Sequence, residues 1–288
     1  MKKVLLASTA LVFSAGYASA EVTVSGEANA GVVFIEDSVT AGGESNETQL
    51  QFELDFSISG SGTSDSGLAF GASFDLDLDD EAESDDIDDP EVFISGSFGT
   101  ITVGGVDSAS DNVGLGFADP GFDGIGIDDE AESFIGAGDA NILYEYAINN
   151  FQLAVSASAA DGDEASSDDF GIGASYSFGD FEVQAAYEDA SDQDIIYLGF
   201  EGSAGSISYD IFYHNNDDAD IAGYGASVDF STGDITWTVA VGDTDIDGND
   251  ADFGVGLEMD LGGGLAFGAG LGSVNDDLRA DAGFTMSF

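Results

Sequence analysis

The sequence predicts an all-β chain, a transmembrane antiparallel β-barrel of sixteen strands, and three observations carry that expectation. Apolar and polar residues alternate with a period of two through almost the whole chain, as in strands with one apolar and one polar face. The stretch Ala280-Asp281-Ala282-Gly283-Phe284-Thr285-Met286-Ser287-Phe288 keeps that period and stops on an aromatic, so the chain ends as a wall strand. After Glu21 no apolar run reaches the about 20 residues of a spanning helix, which leaves a closed barrel as the way to cross a bilayer.

The first residues read differently. Met1-Lys2-Lys3, the apolar run Val4 to Phe13 and the small-residue site Ala18-Ser19-Ala20 have the charge, length and cleavage chemistry of a secretory signal peptide. Residues 1–20 are therefore expected to be removed on export, leaving 21–288 as a single barrel domain. The chain has no cysteine, so neither a disulfide framework nor a thiolate metal site is open to it.

From Glu21 the alternating segments fall near 21–34, 48–59, 67–78, 91–98, 100–106, 139–148, 151–160, 169–178, 180–189, 193–202, 205–214, 220–231, 234–243, 251–261, 264–274 and 279–288. Each is near the ten residues of a tilted membrane strand. Tight turns at Phe98-Gly99-Thr100, Asn149-Asn150, Gly179-Asp180, Gly233-Asp234 and Gly262-Gly263-Gly264 use residues that tolerate positive φ. The connections alternate between short and long, as two rims facing the periplasm and the exterior would require, and long ones such as Asp79 to Asp89 are acidic.

Facing follows from the alternation. Leu50, Phe52, Leu54, Phe56 and Ile58 share one face of the second segment, and Gln51, Glu53, Asp55 and Ser57 share the other. In the third, Leu68, Phe70, Phe74 and Leu76 oppose Asp75 and Asp77, and in the fourteenth Phe253, Val255, Leu257 and Met259 oppose Glu258. A soluble barrel fills its interior with bulky apolar chains, whereas this inner set is Gly, Ser, Asp and Glu, which predicts a wide, wet interior. The aromatics sort by strand end. Phe98, Phe151, Phe178, Phe181, Phe200, Phe230 and Phe288 fall at the lower rim, and Phe34, Tyr187, Tyr213, Tyr224 and Phe253 toward the upper, as two interfacial girdles do. Trp237, on the outward face early in a rising strand, reads as lipid-facing or interfacial rather than as a ligand platform.

Charge is extreme: 58 Asp and Glu against 3 Lys and Arg give a formal net charge of −55, and loss of Lys2 and Lys3 with the leader leaves Arg279 as the one cation. Such a field repels nucleic acid and other anionic partners. It also predicts a saline habitat, because the Debye length falls to about 3 Å near 1 M salt and the carboxylates then cease to strain the fold. With so few cationic side chains to meet lipid phosphates, Mg2+ or Ca2+ is expected to bridge carboxylates to outer-membrane lipid, with no cofactor otherwise required.

A local pattern, Asp243-Thr244-Asp245-Ile246-Asp247-Gly248-Asn249-Asp250-Ala251-Asp252, resembles the first half of a calcium loop, with Asp243, Asp245, Asp247, Asp250 and Asp252 as candidate ligands. The terminal Glu of such loops is missing, Gly254 standing in its place, and a solvated hairpin tip is the competing reading. Nothing points to an enzyme. The single histidine, His214, is placed at the rim beside Asn215 and Asn216, and no Gly-x-Ser-x-Gly elbow accompanies it. Carboxylate pairs are inevitable among so many acids.

Gly60-Ser61-Gly62-Thr63-Ser64-Asp65-Ser66-Gly67-Leu68-Ala69-Phe70-Gly71-Ala72-Ser73-Phe74 resembles the second-to-third strand hairpin of Gram-negative general porins of the Rhodobacter type. The start Glu21-Val22-Thr23-Val24-Ser25-Gly26 and the terminal Phe288 are similar to the same family. The resemblance implies a homotrimer of sixteen-stranded outer-membrane barrels, each with its third outer loop folded into the pore. Here that loop is 107–138, the longest connection, and its Asp119-Pro120-Gly121-Phe122-Asp123-Gly124 is similar to the family's Pro and Phe-Gly turn.

On that reading the pore acids are Asp119, Asp123, Asp128, Asp129, Glu130 and Glu132 in the loop, with Glu53, Asp55, Asp75, Asp77, Glu182, Asp229, Glu258 and Asp281 on the wall. Loop acids facing the medium are the alternative. Family pores set a basic cluster opposite the loop, and this chain has only Arg279, which is expected to pair with a carboxylate at a loop end. The expected function is passive diffusion of ions and small hydrophilic solutes with a preference for cations. A non-conducting adhesion barrel and a secreted acidic calcium- or glycan-binding β protein are the rival readings.

Overall fold

A computed structural model describes residues 21–40, 43–79, 86–159, 169–190, 193–245 and 250–288. Sixteen antiparallel strands close into one barrel in which each strand pairs with its sequence neighbours and β1 pairs with β16. They are β1 (Glu21–Thr40), β2 (Gly43–Thr63), β3 (Ala69–Asp79), β4 (Asp86–Gly96), β5 (Gly99–Gly104), β6 (Ile142–Ile148), β7 (Phe151–Ala157) and β8 (Phe170–Phe178). The second half comprises β9 (Phe181–Ala190), β10 (Gln193–Ala204), β11 (Ile207–Asn216), β12 (Ile221–Thr232), β13 (Ile235–Thr244), β14 (Asp252–Gly262), β15 (Leu265–Val274) and β16 (Asp277–Ser287). Every alternating segment of the sequence corresponds to one of them. The expected leader, 1–20, and most of the acidic stretch between β3 and β4 lie outside the described residues.

Lengths differ from expectation at the first hairpin. β1 and β2 run 20 and 21 residues, and their ladder continues to Thr40 opposite Gly43, whereas β1 leaves β16 at Ile35 opposite Arg279. The polar residues beyond Ile35 keep pairing because a two-stranded ladder needs no apolar face to satisfy its backbone. β4 begins at Asp86, earlier than expected, with a register shift between Ser73 and Asp75 opposite the stretch holding Pro90, which has no N–H to give a ladder.

The turns explain the closure. Asn149 takes φ 52° in the two-residue β6–β7 turn, and Asn275 and Asp276 take 54° and 68° in the β15–β16 turn, the left-handed values that favour Asn and Asp. This last turn lies on the outer rim, so the connections there are not uniformly long. The backbones of Gly26 and Phe288 exchange two hydrogen bonds of 2.8 and 2.9 Å, and the Phe288 ring meets Phe56 edge-on at 5.8 Å. At the short-turn rim the rings of Tyr176, Phe178, Phe181, Phe200 and Tyr209 follow one another at 5.7–6.4 Å across β8–β11.

The outer surface is apolar, with Leu50 77% and Phe253 61% exposed, as the alternation requires. The interior departs from the expected wide cavity. Residues 105–141, between β5 and β6, turn into the barrel, and the apolar core forms between this loop and the inner wall. Val113, Leu115, Phe117, Ile125 and Ile127 of the loop form one buried cluster with Ile195, Tyr197 and Phe212 of β10 and β11, and Ile125 lies against Gly254 and Gly272 of β14 and β15. The small inner residues are thus largely a seat. Gly225 and Gly242 leave room for Phe117, which is 2% exposed, and a Cβ at Gly283 would stand 2.7 Å from the Phe122 ring.

Candidate permeation pathway

The loop enters from β5, makes a short 3₁₀ turn at Asp111–Val113, and follows the inner wall round to β16 before doubling back. On the outward limb Ala109 N donates to Ser156 Oγ of β7 at 2.9 Å, and Ala118 N donates to Ser227 Oγ of β12 at 2.9 Å. At the tip Phe122 N donates to Asp281 Oδ2 of β16 at 2.9 Å, with Asp123 N at 3.4 Å from the same oxygen. On the return limb Tyr197 Oη shares its single proton between the Phe134 carbonyl and Glu188, and Asp139 N donates to Asp169 Oδ2 at 2.9 Å. Wall side chains of β7–β16 thereby satisfy a backbone that has no ladder of its own.

Glu188 of β9 joins the two limbs. Its carboxylate, in a side chain 1% exposed, accepts from Ser108 Oγ, from Ser110 N at 3.1 Å and Tyr197 Oη at 3.2 Å, and from Gly138 N at 3.3 Å. His214 is not at the rim. It is fully buried on the inner face of β11 under the return limb, with Nδ1 2.8 Å from the Ala131 carbonyl and its ring edge-on to Phe134 at 5.1 Å. The alternation puts His214 on the same face as Phe212, and the loop covers both.

The loop acids divide. Asp119 accepts from Gly126 N at 2.6 Å and Ile127 N at 3.2 Å, and Glu132 accepts from Phe117 N at 2.6 Å, so both brace the loop against itself. Burial pushes Asp119 up to about 7 and Glu132 up to about 8, with the nearby Asp128 carboxylate adding to each. Burial, then Asp129, raises Asp128 as well, and burial, then Asp107 and Glu188, takes Asp111 up to about 6. Asp123 is exposed and accepts from Asn29 Nδ2 at 2.9 Å, the same amide that donates to Glu53 Oε2 at 3.1 Å. Burial, then Glu53 and Asp281, raises it too. Glu130 is partly exposed, its carbonyl accepting from Ser133 Oγ at 2.8 Å.

On the wall, Glu53, Asp55, Asp75 and Asp77 lie on the inner face of β2 and β3, Asp55 opposite Glu27 on one side and Asp77 on the other. Ser57 Oγ donates to Asp75. Glu182 accepts from Ser177 Oγ, Asp229 from Thr238 Oγ1 at 2.5 Å, and Glu258 faces Thr236 and Gly268, all toward the short-turn rim. Asp281 is buried beneath the loop tip. The structure therefore brings Asp123, Asp128 and Asp129 toward the side left by the loop and gives Asp119, Glu132 and Asp281 to holding it.

Arg279 also points inward. Its Nη1 donates to the Ile125 carbonyl at 3.3 Å and lies 3.7 Å from Asp129 Oδ2, so its partner is in the middle of the inward loop. A cavity of about 350 Å³ opens here between Asp119, Asp123, Asp128 and Asp129 of the loop and Val33, Ile35, Gln51 and Arg279 of the wall. A second, of about 300 Å³, separates the loop's beginning from Asp75, Glu91 and Glu145 of β3, β4 and β6.

Among the described residues, the aspartates of 243–252 do not converge. Asp243 accepts from Tyr224 Oη at 2.7 Å on the outer face, Asp252 is buried on the inner face and accepts from Asn275 N at 2.8 Å, and Asp245 accepts from Ala222 N at 2.7 Å. Asp250 is exposed, and Asp247 lies outside the described residues. Strand alternation splits the pattern between two faces, and among the described residues no group of three His, Cys, Asp or Glu side chains could hold a metal.

Glu188, His214 and Asn29 were missed as inward residues that hold the loop or its neighbours. The signal available was the run Ile195-Ile196-Tyr197-Leu198 and the run Ile211-Phe212-Tyr213, apolar on both faces, which marks a wall covered from inside.

Known proteins match this arrangement. A family model described as Gram-negative porin matches residues 7–279. A porin of Rhodobacter capsulatus is 30% identical over 247 residues, covering 70% of this chain and 81% of that protein. Two substituted forms of the Rh. blastica porin superpose with TM-scores of 0.80 and 0.79 at 22% identity, covering 93% of this chain and 100% of theirs, a likeness of fold. With sixteen strands, an apolar exterior and a loop packed inside, the chain belongs to the Gram-negative porin family of outer-membrane β-barrels.

Proposed function

We propose that this porin passes ions and small hydrophilic solutes down their gradients and prefers cations. What supports the reading is the placement of carboxylates on both the inward loop and the inner wall, Asp123, Asp128 and Asp129 on the loop and Glu53, Asp55, Asp75 and Asp77 on β2 and β3, while Arg279 is held by the loop. Carboxylates on both walls raise the local cation concentration and exclude anions, and the loop sets the size limit. The reading includes export with removal of 1–20, assembly as a homotrimer through the apolar outer face, a saline habitat, and Mg2+ or Ca2+ bridging to lipid phosphate. It assigns no catalysis.

In a planar bilayer under a potassium chloride gradient, the purified protein should give stepwise conductance and a zero-current potential of cation-selective sign. Asp123→Asn with Asp129→Asn should bring that potential toward zero; an unchanged potential would remove the loop carboxylates from the path. Anion-selective channels would overturn the reading outright.

Selectivity should also depend on pH. Asp119 braces the loop and also lines the cavity beside Arg279, and Glu132 braces the loop behind it. Raised to about 7 and 8, they ionise as pH climbs through those values, so the negative charge of the loop, and with it cation preference, should grow between pH 6 and 9. Their linkage to folding has the opposite sense. The folded loop binds protons that the unfolded chain has released above its ordinary carboxylate range, so their stabilisation is complete below that range and is lost as pH rises through 7 to 8. Zero-current potentials at pH 6 and 9 test the first statement, and a melting temperature that falls over the same interval tests the second.

A further inference from the structure

The single histidine of the chain is fully buried and has one ring nitrogen with nothing to bind. His214 Nδ1 lies 2.8 Å from the Ala131 carbonyl, and because a carbonyl only accepts, the proton of the neutral ring sits on Nδ1. Nε2 is then a bare acceptor, buried without a partner. The ring takes the space that a side chain at Gly223 would need, and it is enclosed by Phe134 of the return limb, Phe212 of β11 and Tyr197 of β10, with centroids 5.1, 6.0 and 6.5 Å away. Tyr197, His214, Gly223 and Thr244 form one row across β10–β13, and Thr244 Oγ1 is also buried without a partner. The ionisable neighbours are occupied or set apart. Tyr197 Oη shares its proton between the Phe134 carbonyl and Glu188 of β9, Glu132 of the loop is turned to Phe117 N, and Asp245, just beyond β13, is exposed, though its charge reaches the ring.

We infer that His214 is an acid-sensitive latch on the return limb, which stays seated while the imidazole is neutral and is released when the ring takes a second proton. That proton makes Nε2 a donor, and an imidazolium with no acceptor in an apolar enclosure is strongly disfavoured. Relief comes if the limb around Ala131 and Phe134 draws back and admits water, after which the cation faces Asp245 at the rim. The strand ladders need not move. Because the seated limb fits only the neutral ring, this contribution to seating is present above the ordinary imidazole range near about 6.5 and declines as pH falls below it. Asp119 and Glu132 act in the opposite sense and at higher pH, so the loop is held most firmly in a window near neutrality.

The latch goes beyond the diffusion reading and has a readout that does not need it. In the full chain in detergent micelles, nitrogen-15 histidine gives one imidazole signal, and exchange of the 130–137 amides can be followed in the same samples. From about pH 7.5 to about 4.5 the ring should pass from the Nδ1–H form to the doubly protonated form, and protection of those amides should fall at least tenfold, to order of magnitude, at the same midpoint while ladder amides keep theirs. Open-channel noise in planar bilayers should rise over the same interval. His214→Gln, which keeps a donor for the Ala131 carbonyl and does not titrate, should lose the acid response of both amides and current. The wild-type titration decides by itself if that variant fails to fold. A ring that takes its second proton with the amides still protected, a ring that stays neutral throughout, or a His214→Gln protein with the wild-type acid response would overturn the latch. Silent bilayers beside a coupled ring and amide transition would overturn the diffusion reading and leave the latch standing.

Discussion

Replacing Glu188 by alanine should leave the barrel closed and release the loop inside it, seen as a larger and noisier single-channel conductance and entry of solutes that the wild-type pore excludes. The side chain is 1% exposed and accepts from donors on both limbs of the loop, at Ser108, Ser110 and Gly138, and from Tyr197. Each buried donor left without an acceptor costs ~1–3 kcal/mol, so the loop should lose several kcal/mol of anchorage. Strand pairing lies outside this network, and folded-form migration on an unheated gel should persist. Glu188→Gln retains the shape and one acceptor oxygen and should recover part of the wild-type current level. A Glu188→Ala channel with wild-type conductance and exclusion size would mean that the limbs are fixed by packing alone.

An effect of similar size is expected from the opposite side of the contact. Valine at position 225 suits a strand, yet its side chain must occupy the space taken by the Phe117 ring, so Gly225→Val should evict that ring and lift the outward limb from β12. Removing a buried Phe side chain by Phe117→Ala costs roughly 3–5 kcal/mol, and eviction forfeits the same burial. Either variant should widen the passage and raise exchange of the loop amides with solvent. The double variant Gly225→Val with Phe117→Ala should be milder than the sum of the two, because the valine fills the vacated space. Strict additivity in amide exchange would show that Phe117 does not rest on Gly225.

Strand number and facing were legible because lipid outside and carboxylates inside force a two-residue period that survives in single segments, as at Leu50 to Ile58. Strand ends were legible where Gly or Asn set the turn and obscure where polar residues kept a ladder going, as beyond Ile35 in β1. The site was legible as a set of acids but not by role. Asp119, Glu132 and Asp281 have the same side-chain chemistry as Asp123 and Asp129, and only the path of the loop decides which carboxylates accept its backbone N–H groups and which do not. His214 was misplaced for a related reason, since a residue near a strand end reads as rim until a covering segment is known.

Because the apolar core lies between a loop and a wall, heritable change in this barrel comes in two kinds. Residues on the lipid face, such as Leu50 or Phe253, touch a fluid and can be exchanged one at a time for others of similar hydropathy. Phe117, Gly225 and Gly242 touch one another, and any one of them can alter only with the others. A new pore shape therefore has to be acquired as a matched pair of loop and seat, and a foreign loop spliced between β5 and β6 would arrive without a place to lie.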